Sequence, residues 1–319
     1  MKIVLFCNHG VSQLALVRLL QRKVLAGVVV SDYGHAYALE VRGVAESARI
    51  PFFVCQKNKL ECNLMAWLKD VNPEAIVVMT FPYRFPDCVL AFPAQGCWNV
   101  HLGQLPFYRG PDPVFWQMRN GEKGGGLTLH KMERMFDSGE VLWSHSLDFT
   151  EHDVLGTHLA KLAHGGPAAM DALCEYLERG EGTLCEQDEA VANYQTRPAG
   201  TDLQIDWEQM DADEIDRLVR ACNPSYPGAE TGIRMVPLCL HEVTVISLSD
   251  PPDEPAGTVV EAQGDPNLYI LCRDAACLRV DVVSSRDLLC TGVRFRQLFQ
   301  LKSGERFETL EGAAIGSLP

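Results

Sequence analysis

The 319-residue sequence lacks the features of membrane, secreted and zinc-binding proteins. No apolar run reaches the roughly 18 residues that a membrane-spanning helix needs, and the N-terminus has no secretion-signal pattern. The 12 cysteines are scattered, and none forms a Cys-x-x-Cys pair that would favour a zinc site. We therefore predict a cytoplasmic protein with reduced thiols, without a membrane partner and without a metal site.

Positive charge is also scarce. The chain has 28 Lys and Arg against 42 Asp and Glu, a formal net charge of −14. From residue 201 onward, 10 Lys and Arg stand against 20 Asp and Glu, which gives −10 there and −4 for residues 1–200. Nucleic-acid binding requires a Lys- and Arg-rich surface, so this balance argues against a polyanion as the main partner.

The first half of the chain alternates strand and helix patterns. Continuous apolar runs occur at 2–6, 25–30, 52–54 and 75–79, separated by segments with helical periodicity. Such runs are typical of parallel strands that helices cover on both faces. We predict the α/β class, with a doubly wound, mostly parallel sheet that binds ligands at the carboxyl ends of its strands.

Two glycine-containing segments do not match phosphate-binding loops. The turn Cys7–Gly10 lacks the Gly-x-Gly-x-x-Gly spacing, and Gly124–Gly126 is not followed by Lys-Ser/Thr. A dinucleotide cofactor is therefore disfavoured, and we predict a tight hairpin or a bulge at 124–126.

The composition changes after a long helical segment that we predict for 153–179. Polar, irregular residues at 191–204 are predicted to link a first domain, 1–190, to a second, 205–319. The second begins with a helix at 211–221. The strands predicted after it lie at 238–248, 257–261, 268–272, 278–283 and 294–298. Many short strands divided by Asp, Pro and Gly favour a small β-barrel.

Asn99 and His101 are the most informative polar pair in the sequence. They lie two residues apart near the end of a predicted strand, so their side chains share one face. A loop rich in Gly and Pro follows, which is where such sheets place active sites. For an isolated Asn-x-His, a turn-capping Asn and a hydrogen-bonded core His remain the alternative.

The wider pattern resembles the formyltransferase family, which uses 10-formyltetrahydrofolate. The family fingerprint is Asn-x-His-x-Ser-Leu-Leu-Pro with a downstream Asp-x-Gly. The matching residues here are Asn99, His101, Leu105, Pro106, Tyr108, Arg109, Gly110, Thr128, Asp137 and Gly139. The stretches 205–207, 220–221 and 224–229 look like the start of the C-terminal domain in the methionyl-tRNA branch, which is a small OB-type barrel.

The resemblance implies that Asn99, His101 and Asp137 are catalytic, in a direct transfer of the formyl group to an amine. Asn99 and His101 would donate to the developing oxyanion, and His101 or a water would handle protons. Asp137 would favour the imidazolium form of His101, so the pair would work near neutral pH.

The resemblance also implies binding residues. Folate contacts are expected from Phe81, Tyr83, Arg84, Phe85, Leu105 and Gly139. Acceptor contacts are expected from Gly103, Gln104 and Arg109. Two alternatives stay open, since the aromatic residues at 81–85 suit the core equally well and Arg109 suits either a loop-shaping role or an anionic group.

The acceptor is the least determined feature. Gly103-Gln104 stands where the family has Ser-Leu, which widens the space beside the site and adds an amide. The methionyl-tRNA branch has a basic loop after its second strand, whereas residues 31–37 here contain no Lys or Arg. We therefore predict a small-molecule amine acceptor, such as a sugar nucleotide, an amino acid or a secondary metabolite, and regard tRNA as less favoured. A formyl-folate hydrolase and a non-catalytic folate-binding module are the alternative functions. The sequence leaves the oligomeric state open, and a homodimer is one of the options.

Overall fold

The structure is a computed structural model that describes residues 1–33, 35–262 and 264–310. The chain divides into two compact units. The first comprises Met1–Pro113, Gly124–Asp148 and Leu159–Thr196. The second comprises Val114–Lys123, Phe149–His158 and the chain from Arg197 onward. The boundary between Thr196 and Arg197 lies inside the segment that the sequence predicts as a linker.

The α-helices of the described residues have the following bounds: α1 Gln13–Gln21, α2 His35–Ala48, α3 Met65–Val71, α4 Asp87–Leu90, α5 Pro113–Arg119, α6 Leu155–Ala163, α7 Gly166–Arg179, α8 Ala212–Cys222 and α9 Gly292–Phe299. Short 3-10 turns lie at Gly10–Ser12, Lys57–Lys59 and Gly200–Leu203, and a π-helical turn lies at Leu60–Leu64. Across these residues, every helix is too short or too polar to span a lipid bilayer.

The first unit contains one seven-stranded sheet. Its strands are β1 Ile3–Cys7, β2 Leu25–Ser31, β3 Phe52–Cys55, β4 Ala75–Met79, β5 Cys97–His101, β6 Gly124–Lys131 and β7 Val141–Asp148. Their order in the sheet is β3-β2-β1-β4-β5-β6-β7. The strands from β3 to β5 are parallel, and β6 and β7 add an antiparallel edge.

The inner strands are continuous apolar runs in the sequence because both faces of each strand are buried. Every residue of β1 and of β4 is buried, because helices cover both faces of the sheet. The connectivity changes direction between β1 and β4, which is the switch point where open α/β sheets bind ligands. The predicted α/β fold class is confirmed.

The prediction of a hairpin or bulge at 124–126 is wrong. These glycines form the start of β6, and β7 approaches them too closely for side chains. A Cβ on Gly126 would lie 2.3 Å from the His145 carbonyl oxygen, and one on Gly124 would lie 2.8 Å from that of Leu147. Close backbone approach, not a turn, is therefore the reason for glycine here.

The helical segment predicted at 153–179 is two helices, α6 and α7. The break falls at His164–Gly165, just before Pro167 in the first turn of α7. Pro lacks a backbone N–H and is accommodated at a helix start but not in a helix interior. The sequence therefore restarts the helix at this point.

The second unit contains the remaining strands. They are β8 Ala229–Ile233, β9 Val236–Ile246, β10 Val259–Val260, β11 Leu268–Leu271, β12 Cys277–Ser285, β13 Leu288–Thr291 and β14 Phe307–Glu308. Their order is β10-β11-β12-β9-β8-β14, with β13 paired to β12. Backbone hydrogen bonds from Val259 N to Glu305 O (2.7 Å) and from Phe307 N to Gly257 O (2.8 Å) join its two ends. The sheet is thus nearly closed, as the sequence predicts.

The strand predicted at 294–298 is wrong, because α9 occupies 292–299. The Thr291 hydroxyl accepts a hydrogen bond from Arg294 N at 3.3 Å and caps the helix start. Phe295 and Phe299, four residues apart on one helix face, stack with ring centroids 4.2 Å apart. The strand that the sequence indicates here is instead β13, directly before the cap.

Glu230 is a buried acid within the second unit. Its side chain lies on β8 and is 3% exposed, and its Oε2 has no hydrogen-bond partner among the described residues. Burial raises the pKa of Glu230, although a hydrogen bond with Gln204 opposes the rise. Because the folded state holds this proton more tightly than the unfolded state, stability falls as pH rises from the ordinary carboxyl pKa through the raised one.

We expect Glu230→Gln to stabilise the protein at neutral pH by about 1 kcal/mol or more, because the neutral amide avoids the burial of a charge. The gain should vanish at pH 4, where both variants carry a neutral side chain. Urea unfolding between pH 4 and pH 8 measures it. Glu242→Gln, the same change at an exposed position of β9, is the control. Identical pH dependence in wild type and Glu230→Gln would contradict the assignment.

Candidate active site

Antiparallel pairing of β5 with β6 gathers polar side chains on one face of the first unit's sheet. Asn99 lies opposite His130, and His101 lies opposite Thr128. Residues two apart on a strand share a face, and directly opposed residues are cross-strand neighbours. The pair predicted from the sequence thus becomes a group of four side chains.

Asp137, in the connection from β6 to β7, closes the group. Its Oδ1 lies 3.2 Å from Asn99 Nδ2 and 3.3 Å from His130 Nε2. Its Oδ2 accepts a hydrogen bond from Gly110 N at 2.8 Å and lies 3.6 Å from His101 Nδ1. The structure therefore brings the three predicted catalytic side chains, Asn99, His101 and Asp137, into one cluster.

The Asp137 carboxyl group stays ionised in this surrounding. Burial by itself raises the pKa of Asp137, but His101, His130 and the Gly110 N–H oppose the rise and hold the pKa well below its usual range. The Gly110 N–H donor favours the negative form of the carboxylate, and so does either ring when it is protonated. Asp137 is therefore a fixed negative charge at neutral pH.

The surroundings of His101 select its tautomer. Its Nε2 lies 2.9 Å from the Tyr108 carbonyl oxygen, which only accepts, so Nε2 carries the hydrogen. In the neutral ring, Nδ1 then has a lone pair that faces Asp137. A proton taken up by His101 would lie between the ring and the carboxylate.

Asp137 favours the imidazolium form of His101, as the sequence predicts, but burial opposes it. The His101 side chain is buried, and burial lowers its pKa. Asp137 and the Tyr108 carbonyl raise the pKa, while His130 and Arg109 lower it further. Desolvation outweighs the carboxylate, so the resting ring is neutral at pH 7.

His130 is a member of the cluster that the sequence did not identify. Its Nδ1 lies 2.8 Å from the Lys131 carbonyl oxygen, and its Nε2 lies 3.2 Å from Asn99 Nδ2. The Nδ1 hydrogen therefore points to the carbonyl, which leaves Nε2 to orient the Asn99 amide. The available signal was the spacing of two from Thr128, which puts both side chains on one strand face.

Thr128 holds the loop that leaves β5. Its hydroxyl donates to the Gly103 carbonyl oxygen at 2.6 Å and accepts from Leu105 N at 3.2 Å. The peptide bond from Leu105 to Pro106 is cis. The Gln104 side chain donates to Gly125 O at 3.1 Å and to Ser146 Oγ at 2.7 Å, so its amide nitrogen is held by the β6–β7 pair.

Arg109 is fully enclosed. Its guanidinium contacts Glu189 at 2.6 and 2.9 Å, Gln187 at 2.8 and 3.1 Å and the Tyr194 hydroxyl at 2.9 Å. The side chain has no exposed surface. This geometry supports the loop-shaping alternative for Arg109, and an acceptor contact would require the cluster to open.

The loop at 81–85 is divided between core and surface. Phe85 is 4% exposed within the core, and Phe81 and Tyr83 are partly buried against it. Arg84 is exposed, donates to the Arg134 carbonyl oxygen at 2.7 Å and lies 5.2 Å from the Phe136 ring centroid. The folate contacts predicted for this loop stay predictions, with Phe81 and Tyr83 the better exposed of its aromatic residues.

Comparison with known proteins agrees with this geometry. Residues 1–173 match the formyl transferase family model, and residues 200–287 match that of the formyl transferase C-terminal domain. The chain belongs to the formyl transferase family. It is therefore a formyl-transferring enzyme.

The chain is similar in sequence to a methionyl-tRNA formyltransferase and similar in fold to proteins solved with folate compounds. Methionyl-tRNA formyltransferase from Geobacter metallireducens is 31% identical over 242 residues, 76% of this chain and 75% of that protein. The N-formyltransferase from Helicobacter canadensis, solved with folinic acid and dTDP-3-aminofucose, has a TM-score of 0.64 at 14% identity and covers 88% of this chain and 98% of its own. HypX from Aquifex aeolicus, solved with tetrahydrofolic acid, has a TM-score of 0.65 at 18% identity over 93% of this chain. The chain spans about half of HypX, 47% of its length.

Gly139 lets the Asp137 turn pass close to β6. A Cβ at this position would lie 2.0 Å from the Lys131 carbonyl oxygen.

We expect Gly139→Ala to destabilise the protein by about 1–3 kcal/mol through overpacking and to reduce formyl transfer. Urea unfolding and turnover measure the two effects. Gly43→Ala in α2, where a Cβ meets nothing within 4 Å, is the control and should be neutral or slightly stabilising. Equal effects of the two substitutions would refute the steric argument.

Proposed function

We propose that this enzyme transfers the formyl group of 10-formyltetrahydrofolate to the amine of a small-molecule acceptor, such as a sugar nucleotide, an amino acid or a secondary metabolite. The observation that carries the transfer is the cluster of Asn99, His101 and Asp137 at the carboxyl end of β5. The observation that carries the choice of acceptor is the distribution of charge.

The cluster fits the family's co-substrate. The Asn99 amide can donate to a carbonyl oxygen that develops negative charge, while His101 with the Asp137 carboxylate can accept a proton. When bound, 10-formyltetrahydrofolate supplies the formyl carbon that an amine attacks. Asn99 would hold the formyl oxygen, and the partly exposed Phe81 and Tyr83 would contact the folate, with Leu105 and Gly139 as predicted neighbours.

Asn99, like Asp137, is partly exposed, whereas His101 is buried. Its amide nitrogen already contacts Asp137 and His130, both at 3.2 Å. Donation to a formyl oxygen requires one amide N–H to exchange its His130 contact for the ligand. The Asp137 contact meanwhile keeps the amide in place, so the donor is pre-oriented for the developing charge.

The pair of His101 and Asp137 provides a place for the proton that the attacking amine loses. His101 starts neutral, with the lone pair of Nδ1 facing Asp137. A proton that arrives at Nδ1 is stabilised by the carboxylate in a buried setting, where charge interactions are strong. The same proton can then pass to the folate nitrogen as the bond from that nitrogen to the formyl carbon breaks.

The surface of the second unit supports a small acceptor. Nine arginines occur from residue 201 onward. Five of them form ion pairs within the unit: Arg220 with Asp216, Arg234 with Glu305, Arg279 with Asp281, Arg296 with Glu261, and Arg306 with Glu208. Cations already paired with carboxylates contribute little to phosphate binding, in a region whose net charge is −10.

Methionyl-tRNA is the second candidate acceptor, because the Geobacter metallireducens relative is a methionyl-tRNA formyltransferase that matches three quarters of both chains. The Helicobacter canadensis protein, solved with a dTDP-linked amino sugar, has a similar fold and favours the first candidate.

Incubation with 10-formyltetrahydrofolate and a panel of acceptors tests the proposal. We expect formylation of a small amine and slow or absent formylation of methionyl-tRNA. The measurement is mass spectrometry of the acceptor with spectroscopic detection of tetrahydrofolate. Methionyl-tRNA as the preferred acceptor would replace the proposal with the second candidate, and formyl release without any amine would indicate a hydrolase.

Two substitutions test the assigned roles. Asn99→Leu should lower kcat by about 10²–10³-fold, the usual effect of removing one oxyanion donor. His101→Gln should lower kcat by about 10²–10⁴-fold, the range for a general base. Folding of both variants is checked by circular dichroism, and near wild-type turnover in either would refute its role.

A further inference from the structure

A segment of the first unit that the reaction does not use directly contacts both loops of the candidate site. We call residues 185–195 the strap. At its start, Cys185 pairs with Val141 through backbone hydrogen bonds of 2.8 and 2.9 Å. At its end, Arg109 N donates to Asn193 O at 3.0 Å, and Gln195 N donates to Arg109 O at 2.8 Å. The strap therefore joins the Asp137 side of the site to the loop that follows His101.

Gln187 is the side chain of the strap that joins the two loops directly. Its Nε2 donates to the Asp137 carbonyl oxygen at 2.8 Å and to that of Gly139 at 2.7 Å. Its Oε1 accepts from Arg109 Nε at 3.1 Å and from Arg109 Nη2 at 2.8 Å. One amide thus uses both of its N–H donors on one loop and its oxygen on the other.

The loops need such support because of their backbone conformation. Asp137 has φ 54° and Tyr108 has φ 56°, both in the left-handed region that side chains disfavour. Gln187 holds the carbonyl of Asp137, and Asn193 Oδ1 accepts from Tyr108 N at 2.6 Å. Residues in such conformations persist where their surroundings fix them. Tyr108 is also the residue whose carbonyl sets the tautomer of His101.

We propose that Gln187 is a positioning residue for formyl transfer, which fixes the Asp137 turn against the Arg109 loop and so sets the spacing between Asp137 and His101. The inference rests on the proposed function of this site, because it assigns a role to a residue outside the catalytic trio. Gln187 contacts neither reacting side chain through its own atoms, and it acts through the backbone of Asp137.

The charges that face His101 give the inference a measurable signature. They come from Asp137, His130 and Arg109, and burial is the larger opposing effect. Asp137 raises the pKa of His101, so a turn that moves Asp137 away should lower that pKa further. Loss of fold stability alone would leave the pKa of His101 in the folded state unchanged.

Gln187→Met is the main variant, since it is neutral and of similar shape but makes none of the four hydrogen bonds. We expect kcat to fall by about 10- to 100-fold, as for a catalytic group displaced by about 1 Å. The KM for 10-formyltetrahydrofolate should change by less than threefold. Gln187→Glu can still accept from Arg109 but cannot donate to Asp137 or Gly139, and it should show the same loss.

Asp188→Asn is the matched control. Asp188 is the exposed neighbour of Gln187, and its contact is to the backbone N–H of Ala190 at 2.9 Å. This variant should keep wild-type kcat and pH dependence. A loss of kcat in Gln187→Met that Asp188→Asn shares would overturn the inference, and so would wild-type kcat in both Gln187 variants.

Titration of His101 by nuclear magnetic resonance supplies a readout without turnover. The His101 signal is assigned by its loss in His101→Gln, and Asp137→Asn marks the full effect of removing the carboxylate. We expect the pKa of His101 in Gln187→Met to shift from the wild-type value towards that in Asp137→Asn. An unchanged pKa in a folded Gln187→Met would overturn the positioning role. Absence of turnover in the wild-type enzyme with every acceptor would instead refute the proposed function, and the titration would still decide the role of Gln187.

Discussion

The candidate site depends on the contacts of one carboxylate, that of Asp137, which is largely buried. A negative charge in a desolvated position is stable only where donors surround it. Here the Asn99 amide and the Gly110 N–H donate to it, and the His101 and His130 rings lie within 3.6 Å of its oxygens. The carboxylate consequently orients the groups that the reaction needs, since each of them must face it.

This requirement reaches well beyond the side chains that touch Asp137. The β6–β7 connection must turn through a left-handed residue, Gly139 must pass beside a carbonyl, and the strap must hold both loops. Arg109, enclosed by Glu189, Gln187 and Tyr194, ties the strap to the loop after β5. Much of the sequence that resembles the family therefore serves geometry, while few of its residues can reach a ligand.

The sequence predicted the fold class and the grouping of Asn99, His101 and Asp137, because both leave local patterns, and the catalytic role of the three stays a prediction. Apolar runs mark the buried parallel strands, and Asn99 and His101 are two residues apart on one of them. The sequence did not indicate His130, because its place in the cluster depends on pairing between β5 and β6. It did not indicate Gln187, because the contacts of this residue span 48 and 50 residues along the chain. The neutral state of His101 was missed for a related reason, since the balance between burial and Asp137 can be weighed only once burial is known. The glycines of β6 and helix α9 were misassigned because neighbouring backbone and a cap, rather than residue type, decide their structure.

The trio and the acceptor are separable parts of this enzyme. In the proposed mechanism the trio stabilises an oxyanion and moves a proton, and neither task depends on what carries the attacking amine. Choice of acceptor must then come from surfaces around the cluster and from the charge of the second unit. Five of the nine arginines from residue 201 onward are paired with Asp or Glu, and these carboxylates compete with a phosphate backbone for the guanidinium groups. A small amine would meet no such competition, and this difference, rather than the catalytic geometry, is our reason for proposing it as the acceptor.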